Sequence, residues 1–391
     1  MIHVVADRML RDHLPFLPNG ITVSWHDGHT ISRKDLAKAD ALLVRSITPI
    51  NESLLAGTPV AFVGTATAGI DHIDIDYLAQ SGIGWTDAPG SNADAVGDYV
   101  LAALSHLYTT SATTPNPAHT RVGVVGCGHV GGRLTKRLNA LGYQVITCDP
   151  PRAARDPFFD HVDLQALIPQ CDIICLHLPL VGQPTSEPAH DKAYHPTYHL
   201  IDTHVLDQMK PTAWLINAGR GATIDTQHLT RWRRLHPYRR LVLDVFEHEP
   251  SIDRQLAAAC DLATPHIAGH SLEAKHRGAH FIAQQLCAHF NQALTPTPIP
   301  PPAGASLSAH HFQHPTPWLS VAQTIYPIAL DDALLRGTID FGAVRRAYQP
   351  RREFQSYTIQ PPQQPVRHVA DHASARDLPE TLSGGLSLGL S

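Results

Sequence analysis

The 391 residues contain no CxxC pair and no disulfide-like cysteine framework: Cys127, Cys148, Cys171, Cys175, Cys260 and Cys287 lie mostly inside apolar runs. Thiols placed that way are usually buried and reduced, so the cysteines argue for a cytoplasmic chain and against a disulfide-built one. No apolar stretch reaches the roughly 18 residues that a membrane span needs, and the first residues, Met1 to Asp7, lack the basic-then-apolar layout of an export signal. Membrane and export readings therefore drop out. Lys and Arg number 30 against 35 Asp and Glu, for a net charge of -5, and they gather into no long basic stripe. The electrostatic footprint of a nucleic-acid binder is absent. Histidine is abundant at 27 residues, but neither the group His190, His195, His199 nor the group His310, His311, His314 has a zinc-like spacing or paired cysteines beside it. No metal site is expected.

What is present is enough apolar residue, 43%, to fill two or three domain cores. Short apolar runs at Ile2 to Ala6, Ala41 to Val44 and Val60 to Val63 alternate with helical stretches, which predicts a small parallel α/β unit. Ala95, Val96, Tyr99, Val100, Ala103, Leu104 and Leu107 recur at helical spacing, with Asn92 or Asp94 able to cap the start. Past a Thr/Pro/Ser-rich linker at Thr109 to Thr120, a second series runs through Arg121 to Val125, Gln144 to Cys148, Asp172 to Leu176, Ala213 to Ile216 and Leu241 to Val245. Strands so spaced predict a doubly wound parallel sheet. Val181 to His199 reads as a long surface loop, and Thr295 to Pro302 as a stiff connector into a C-terminal module. The expected class is α/β, with two Rossmann-like parallel-sheet domains, a smaller C-terminal α+β module at 296–370, and an unstructured tail at 371–391.

Gly126-Cys127-Gly128-His129-Val130-Gly131 follows the strand Val122 to Val125 and opens a helical pattern through Leu134, Leu138 and Leu141. The first glycine permits a tight turn, the second lets backbone approach a pyrophosphate, and the third lets helix and strand pack closely. N–H groups at the helix start can then hold phosphates. The next strand ends at Asp149, placed to accept hydrogen bonds from ribose hydroxyls and to repel a 2'-phosphate, so the cofactor predicted is NAD, with Arg152 nearby as the argument for NADP.

Further on stand Asn217-Ala218-Gly219-Arg220-Gly221, Asp244-Val245-Phe246-Glu247-His248-Glu249-Pro250 and Thr264-Pro265-His266-Ile267-Ala268-Gly269, each at the end of an apolar run. In order and spacing this set resembles the D-isomer-specific 2-hydroxy acid dehydrogenases over roughly residues 1 to 295. The resemblance implies a substrate-binding domain at 1–95 with 275–295, an NAD-binding domain at 96–274, and Arg220, Glu249 and His266 as the catalytic set. It also implies a cofactor site at Gly126, Gly128, His129, Val130, Gly131, Asp149, Ala218, Gly219, Arg220, Asp244 and Gly269. The residue types suit the chemistry. As hydride leaves C2 the hydroxyl proton must leave too, and an imidazole can take it. Glu249, preferred over Glu247 because it precedes proline, would orient that imidazole, and Arg220 would meet the substrate carboxylate.

Val44-Arg45-Ser46, Phe62 through Gly69, Cys148 through Arg152, Asp331-Asp332 and Phe341 through Arg351-Arg352-Glu353 are similar to one branch of that family, whose substrate is a small phosphorylated hydroxy acid. Membership there implies that Ser46, Thr67 and the residue after Gly269 contact the substrate, and Arg45 could offer charge to the phosphate. That last position, a tyrosine in the branch, is His270 here. The branch also implies a homodimer made by the C-terminal module, whose Trp318, Leu319, Val321, Ile325, Tyr326 and Ile328 offer apolar surface; Arg345, Arg346, Arg351 and Arg352 could instead take an acidic regulator. A phosphoglycerate or hydroxypyruvate type dehydrogenase would share every catalytic residue, and an NADH-sensing corepressor would share the fold.

Overall fold

The computed structural model describes residues 1–111, 116–182, 195–294, 305–307, 316–338 and 340–359. The connector at 295–302, the tail at 371–391, most of the loop at 181–199, and His190, His310, His311 and His314 lie outside the described residues. The chain divides into two compact units, Met1–Ala93 with His270–Pro301, and Asp94–Gly269 with Pro302–Ser391.

Unit 1 is built on five parallel strands, β1 (Ile2–Asp7), β2 (Ile21–His26), β3 (Ala41–Val44), β4 (Phe62–Thr65) and β5 (Gly84–Thr86), in the order β2-β1-β3-β4-β5. The central strands β3 and β4 are buried throughout, as their continuous apolar runs require of a sheet covered on both faces. The helix Leu272–His289, capped by Ser271, returns to this sheet. A Cβ on Gly278 would stand 2.6 Å from the carbonyl oxygen of Ala66, Ile282 lies against Gly64, and His289 reaches Phe62. The helix therefore begins beyond the carboxyl end of β4 and runs back along it.

Unit 2 carries six parallel strands, β6 (Arg121–Val125), β7 (Gln144–Cys148), β8 (Ile173–Leu176), β9 (Trp214–Asn217), β10 (Arg240–Leu243) and β11 (Leu262–Ala263), ordered β11-β10-β9-β8-β6-β7. The order reverses at β6, between β7 and β8, which makes the carboxyl end of β6 the place where such sheets take ligands. The helix Ala93–Thr110 fills one side of the core with Tyr99, Val100, Ala103, Leu104 and Leu107.

The described C-terminal residues fall within unit 2 and are not a compact unit of their own. They form three helices, Pro317–Ile325, Ala329–Arg336 and Phe341–Ala347, and two paired parallel strands, β12 (Ala305–Leu307) and β13 (Tyr357–Ile359). Trp318, Leu319, Val321, Ile325, Tyr326 and Ile328 all join the core that contains Tyr99 and Leu104, and Ser105 donates to the carbonyl of Leu319 at 2.8 Å. The apolar surface that suggested a dimer is thus consumed inside the chain. The physical reason is the one that made these residues look sticky: six large apolar groups are most cheaply covered by the nearest core. Leu330 and Leu334, one turn apart on the helix Ala329–Arg336, remain exposed.

Candidate active site

The turn after β6 has the shape its glycines predict. Gly126 is in the left-handed region at φ 86°, and a Cβ on Gly131 would lie 2.0 Å from the carbonyl oxygen of Gly126, so only glycine lets the helix His129–Ala140 close on the turn. A Cβ on Gly128, the N-cap, would meet nothing within 4 Å. That open backbone at a helix start is the cradle a pyrophosphate fits. His129 is exposed beside it, and Val130 packs against the core. Asp149, at the end of β7, accepts from Cys127 N at 2.7 Å and from Arg152 N at 2.9 Å, which ties the strand end to the turn. Arg152 donates to the Cys127 carbonyl at 2.9 Å and lies 4.2 Å from the centre of the Phe159 ring. The residue that argued for NADP is thus engaged by the protein itself, and the donor set fits NAD.

Arg220 sits in the turn after β9. A Cβ on Gly221 would come 2.0 Å from the carbonyl carbon of Phe246, so this turn is pressed against the turn that follows β10. Ala218 and Gly219 precede Arg220 in it, with Gly219 N donating to Asn217 Oδ1 at 3.0 Å.

The histidine loop is held from several sides. His266 has φ 57°, a left-handed conformation that a residue with a Cβ seldom adopts without support. The support is visible. His266 N donates to the Asp244 carbonyl at 2.7 Å, Ile267 N to Asp244 Oδ1 at 2.8 Å, and Ala268 N to Asp244 Oδ2 at 2.8 Å. Thr264 Oγ1 donates to Asp244 Oδ1 at 2.7 Å, and the Tyr99 hydroxyl bonds Thr264 in turn, also at 2.7 Å. Asp244 is 1% exposed, and burial pushes its carboxyl up despite His266 and these donors. Asp244, expected at the cofactor, also braces the histidine loop with its carboxylate.

With the loop so held, His266 Nδ1 lies 2.7 Å from Glu249 Oε2, and Phe246 N donates to Glu249 Oε1 at 2.9 Å. Burial alone would push the Glu249 carboxyl up, but the charge of His266 and these hydrogen bonds bring it below its usual range. Glu247 does other work: it contacts His199 Nε2 at 2.5 Å and accepts from Thr226 N at 2.9 Å. His199, also 3.4 Å from Asp225, is thereby committed to carboxylates.

Ser46, Thr67 and His270 belong to unit 1. Ser46 follows Arg45, whose Nε donates to Asp7 Oδ2 at 2.8 Å; Asp7 ends β1 and is wholly buried. Thr67 follows β4, with its hydroxyl 2.9 Å from that of Thr65. Lys275, one turn before Gly278 on the helix Leu272–His289, is lowered from its usual pKa by burial and by the charge of Arg45. No carboxylate among the described residues pairs with it. Sequence reasoning missed Lys275 and Asp7, although an aspartate closing an apolar strand, as in β1, is a signal that could have found the second.

Residues 107–268 match the family described as D-isomer specific 2-hydroxyacid dehydrogenase, NAD binding domain. The chain is 41% identical to an erythronate-4-phosphate dehydrogenase of Pseudomonas fluorescens over 85% of this chain and 88% of that protein. A protein of the same name from Salinibacter ruber is 40% identical over 89% and 91%. Among solved structures, an NAD+-bound 3-phosphoglycerate dehydrogenase of Entamoeba histolytica superposes with a TM-score of 0.60 at 22% identity, covering 74% of this chain and 95% of that one. The chain belongs to the D-isomer-specific 2-hydroxyacid dehydrogenase family, and its glycine turn lies in the matched NAD-binding domain. Within that family its long, near-complete likeness is to the erythronate-4-phosphate dehydrogenases.

Proposed function

We propose that this chain oxidises 4-phospho-D-erythronate at C2 to 2-oxo-3-hydroxy-4-phosphobutanoate with NAD, a step toward pyridoxal 5'-phosphate. The observation that carries the reading is the imidazole–carboxylate pair, His266 Nδ1 to Glu249 Oε2 at 2.7 Å, in a chain whose relatives bear that substrate's name. Glu249 holds the ring by one nitrogen and leaves Nε2, which bonds no other described residue, to take the proton of the C2 hydroxyl. Bound NAD would supply the hydride acceptor for C2. Arg220 supplies a planar fork for the C1 carboxylate and positive charge near the C2 oxygen as it becomes a carbonyl. Lys275, which feels the charge of Arg45 and pairs with no carboxylate among the described residues, together with the hydroxyls of Ser46 and Thr67, supports recognition of an acid that carries a second, doubly charged group.

The test is absorbance of reduced nicotinamide with a panel of plain and phosphorylated 2-hydroxy acids. Preference for 4-phosphoerythronate over phosphoglycerate and glycerate is the expected result, and equal or greater turnover of phosphoglycerate would replace this reading with its nearest rival. A corepressor without turnover is not favoured, because binding alone gives no use to a paired Glu249 and His266.

His270 adds a titratable group where the related branch has tyrosine. An unperturbed imidazole changes charge near pH 6.5, so His270→Tyr is expected to flatten the dependence of KM for the phosphorylated acid between about pH 6 and 8. Parallel curves for the two proteins would remove His270 from the phosphate site. A cytoplasmic location suits six buried, reduced thiols. For the homodimer, Leu330 and Leu334 are the large apolar C-terminal side chains exposed among the described residues and so left to meet a second copy.

A further inference from the structure

Of the basic residues near the end of the described chain, Arg351 faces the protein's own backbone rather than solvent. Arg351 is half-buried as a residue, yet its guanidinium reaches into unit 2 and donates to three backbone carbonyls: Ile267 at 3.0 Å, Ala268 at 2.5 Å and Ala95 at 2.6 Å. Its Cζ lies 4.2 Å from the centre of the Tyr326 ring, a cation–π stack on a residue that is itself buried in the core. Ile267 and Ala268 are the two residues that follow His266, and they are the same two whose N–H groups are taken by Asp244. Every backbone polar group of this pair is therefore met by a charged side chain: the N–H groups by a carboxylate, the carbonyls by a guanidinium. Such charge-assisted bonds are roughly twice as strong as neutral ones.

The neighbouring C-terminal residues hold the approach to the same loop. Asp332 Oδ1 accepts from Ala263 N at 2.7 Å, on the outer edge of β11, and Arg336 donates to the Cys260 carbonyl at 3.0 Å. The segment from Cys260 to Ala268 is thus held at Cys260, Ala263, Ile267 and Ala268 by the C-terminal helices and the loop after them.

We propose that Arg351 is a positioning residue of the active site: by binding the carbonyls of Ile267 and Ala268 opposite Asp244, it holds His266 in its left-handed conformation and its ring against Glu249. The C-terminal segment then serves the chemistry directly, whatever it contributes to assembly. A guanidinium is suited to this because its planar fork can serve several fixed acceptors at once, which an ammonium cannot do with the same geometry. This goes beyond the proposed function and depends on it only for the kinetic arm of the test.

Arg351→Met keeps length and apolar contact with Tyr326 and removes every donor; Arg351→Lys keeps one charged donor group. Hydrogen exchange of the full-length chain, read by mass spectrometry, needs no substrate. In Arg351→Met the amides of 264–269 are expected to exchange at least about tenfold faster while those of β6, β8 and β9 stay unchanged, because only the loop loses its hold. In the kinetic arm, kcat is expected to fall at least about tenfold with the NADH Kd within about twofold, and Arg351→Lys should recover a threefold or greater part of the loss. Unchanged exchange at 264–269 overturns the proposal. So does faster exchange throughout unit 2 with kcat and NADH affinity falling together, which is the mark of a merely structural arginine. If Arg351→Met does not yield folded protein, Arg351→Lys decides by the same exchange measurement. A wild-type chain that fails to turn over 4-phosphoerythronate would count against the substrate assignment alone, since the exchange result stands without it.

Discussion

Replacing His266 by alanine is expected to lower kcat by at least about a hundredfold while the affinity for NADH stays within about twofold. The two effects separate because the groups responsible are separate. In the proposed reaction proton transfer rests on an imidazole held by Glu249 at 2.7 Å, whereas NAD binding is assigned to the turn of Gly126, Gly128 and Gly131 and to Asp149, which accepts from Cys127 N in that turn and not from the ring. Single-turnover kinetics and fluorescence titration of NADH measure the two quantities. Residual turnover close to wild type would show that the proton leaves by another group. The same variant has a signature in stability. The Glu249 carboxyl is held below its usual value of 4.5, with His266 the largest favourable influence set against burial. A carboxyl whose folded pKa is depressed adds stability above its unfolded value and loses it as pH falls through the folded one. Without His266 that contribution shrinks, so the loss of stability on going from pH 5 to lower pH is expected to be shallower in His266→Ala than in wild type.

How much of this was legible in the sequence follows the burial of each strand. The interior strands β1, β3, β4, β6, β8, β9 and β10 were all visible as apolar runs, because a parallel strand covered on both faces must be largely apolar. The strands that were missed, β2, β5 and β11 of the two large sheets and the short pair β12 and β13, all lie at the edge of a sheet. An edge strand is covered less, so β2 mixes Thr, Ser and His among its apolar residues, and β11 is only two residues long, too short to show any period. The glycine turn was readable for the opposite reason: its geometry forbids side chains at Gly126 and Gly131, and absence of a side chain is visible in a sequence. The proposed set Arg220, Glu249 and His266 rests on its order along the chain and the resemblance that order carries; of the three, the structure pairs Glu249 with His266. The supports of that set were not legible. Nothing in Asp244 as a letter says whether its carboxylate faces a cofactor or the amides of Ile267 and Ala268, and nothing in Arg351 distinguishes a surface charge from a guanidinium bonded to backbone 84 residues away. Such partners depend on long-range closure, which local pattern does not encode. The C-terminal apolar residues were noticed correctly and given the wrong cover, since a count of apolar side chains does not say whether the chain itself or a second copy meets them.

Asp244 is the residue whose loss should cost the most stability. Its carboxylate accepts from Ile267 N, Ala268 N and Thr264 Oγ1, all within 2.8 Å and all buried. Asp244→Ala removes the three acceptor bonds at once and leaves two amide N–H groups in a site from which water is excluded. Each stranded donor costs about 1 to 3 kcal/mol, and relief from burying the charge returns part of that, so a net destabilisation of about 2 to 4 kcal/mol is expected. Asparagine makes an informative contrast. Its amide oxygen can still serve Ile267 and Thr264, but its NH2 must face Ala268 N–H, donor against donor, so Asp244→Asn should fall between alanine and wild type. The kinetic consequence follows from the left-handed His266, which Asp244 also steadies through its own carbonyl, at 2.7 Å from His266 N. In both variants kcat is expected to drop tenfold or more, even under conditions where the protein is fully folded, because the imidazole no longer has one backbone to stand on. Denaturant unfolding with kinetics on the same samples separates the two effects. An alanine variant that unfolds at lower denaturant yet keeps wild-type kcat would mean that the loop holds its shape without Asp244, and that the carboxylate is there for the fold alone.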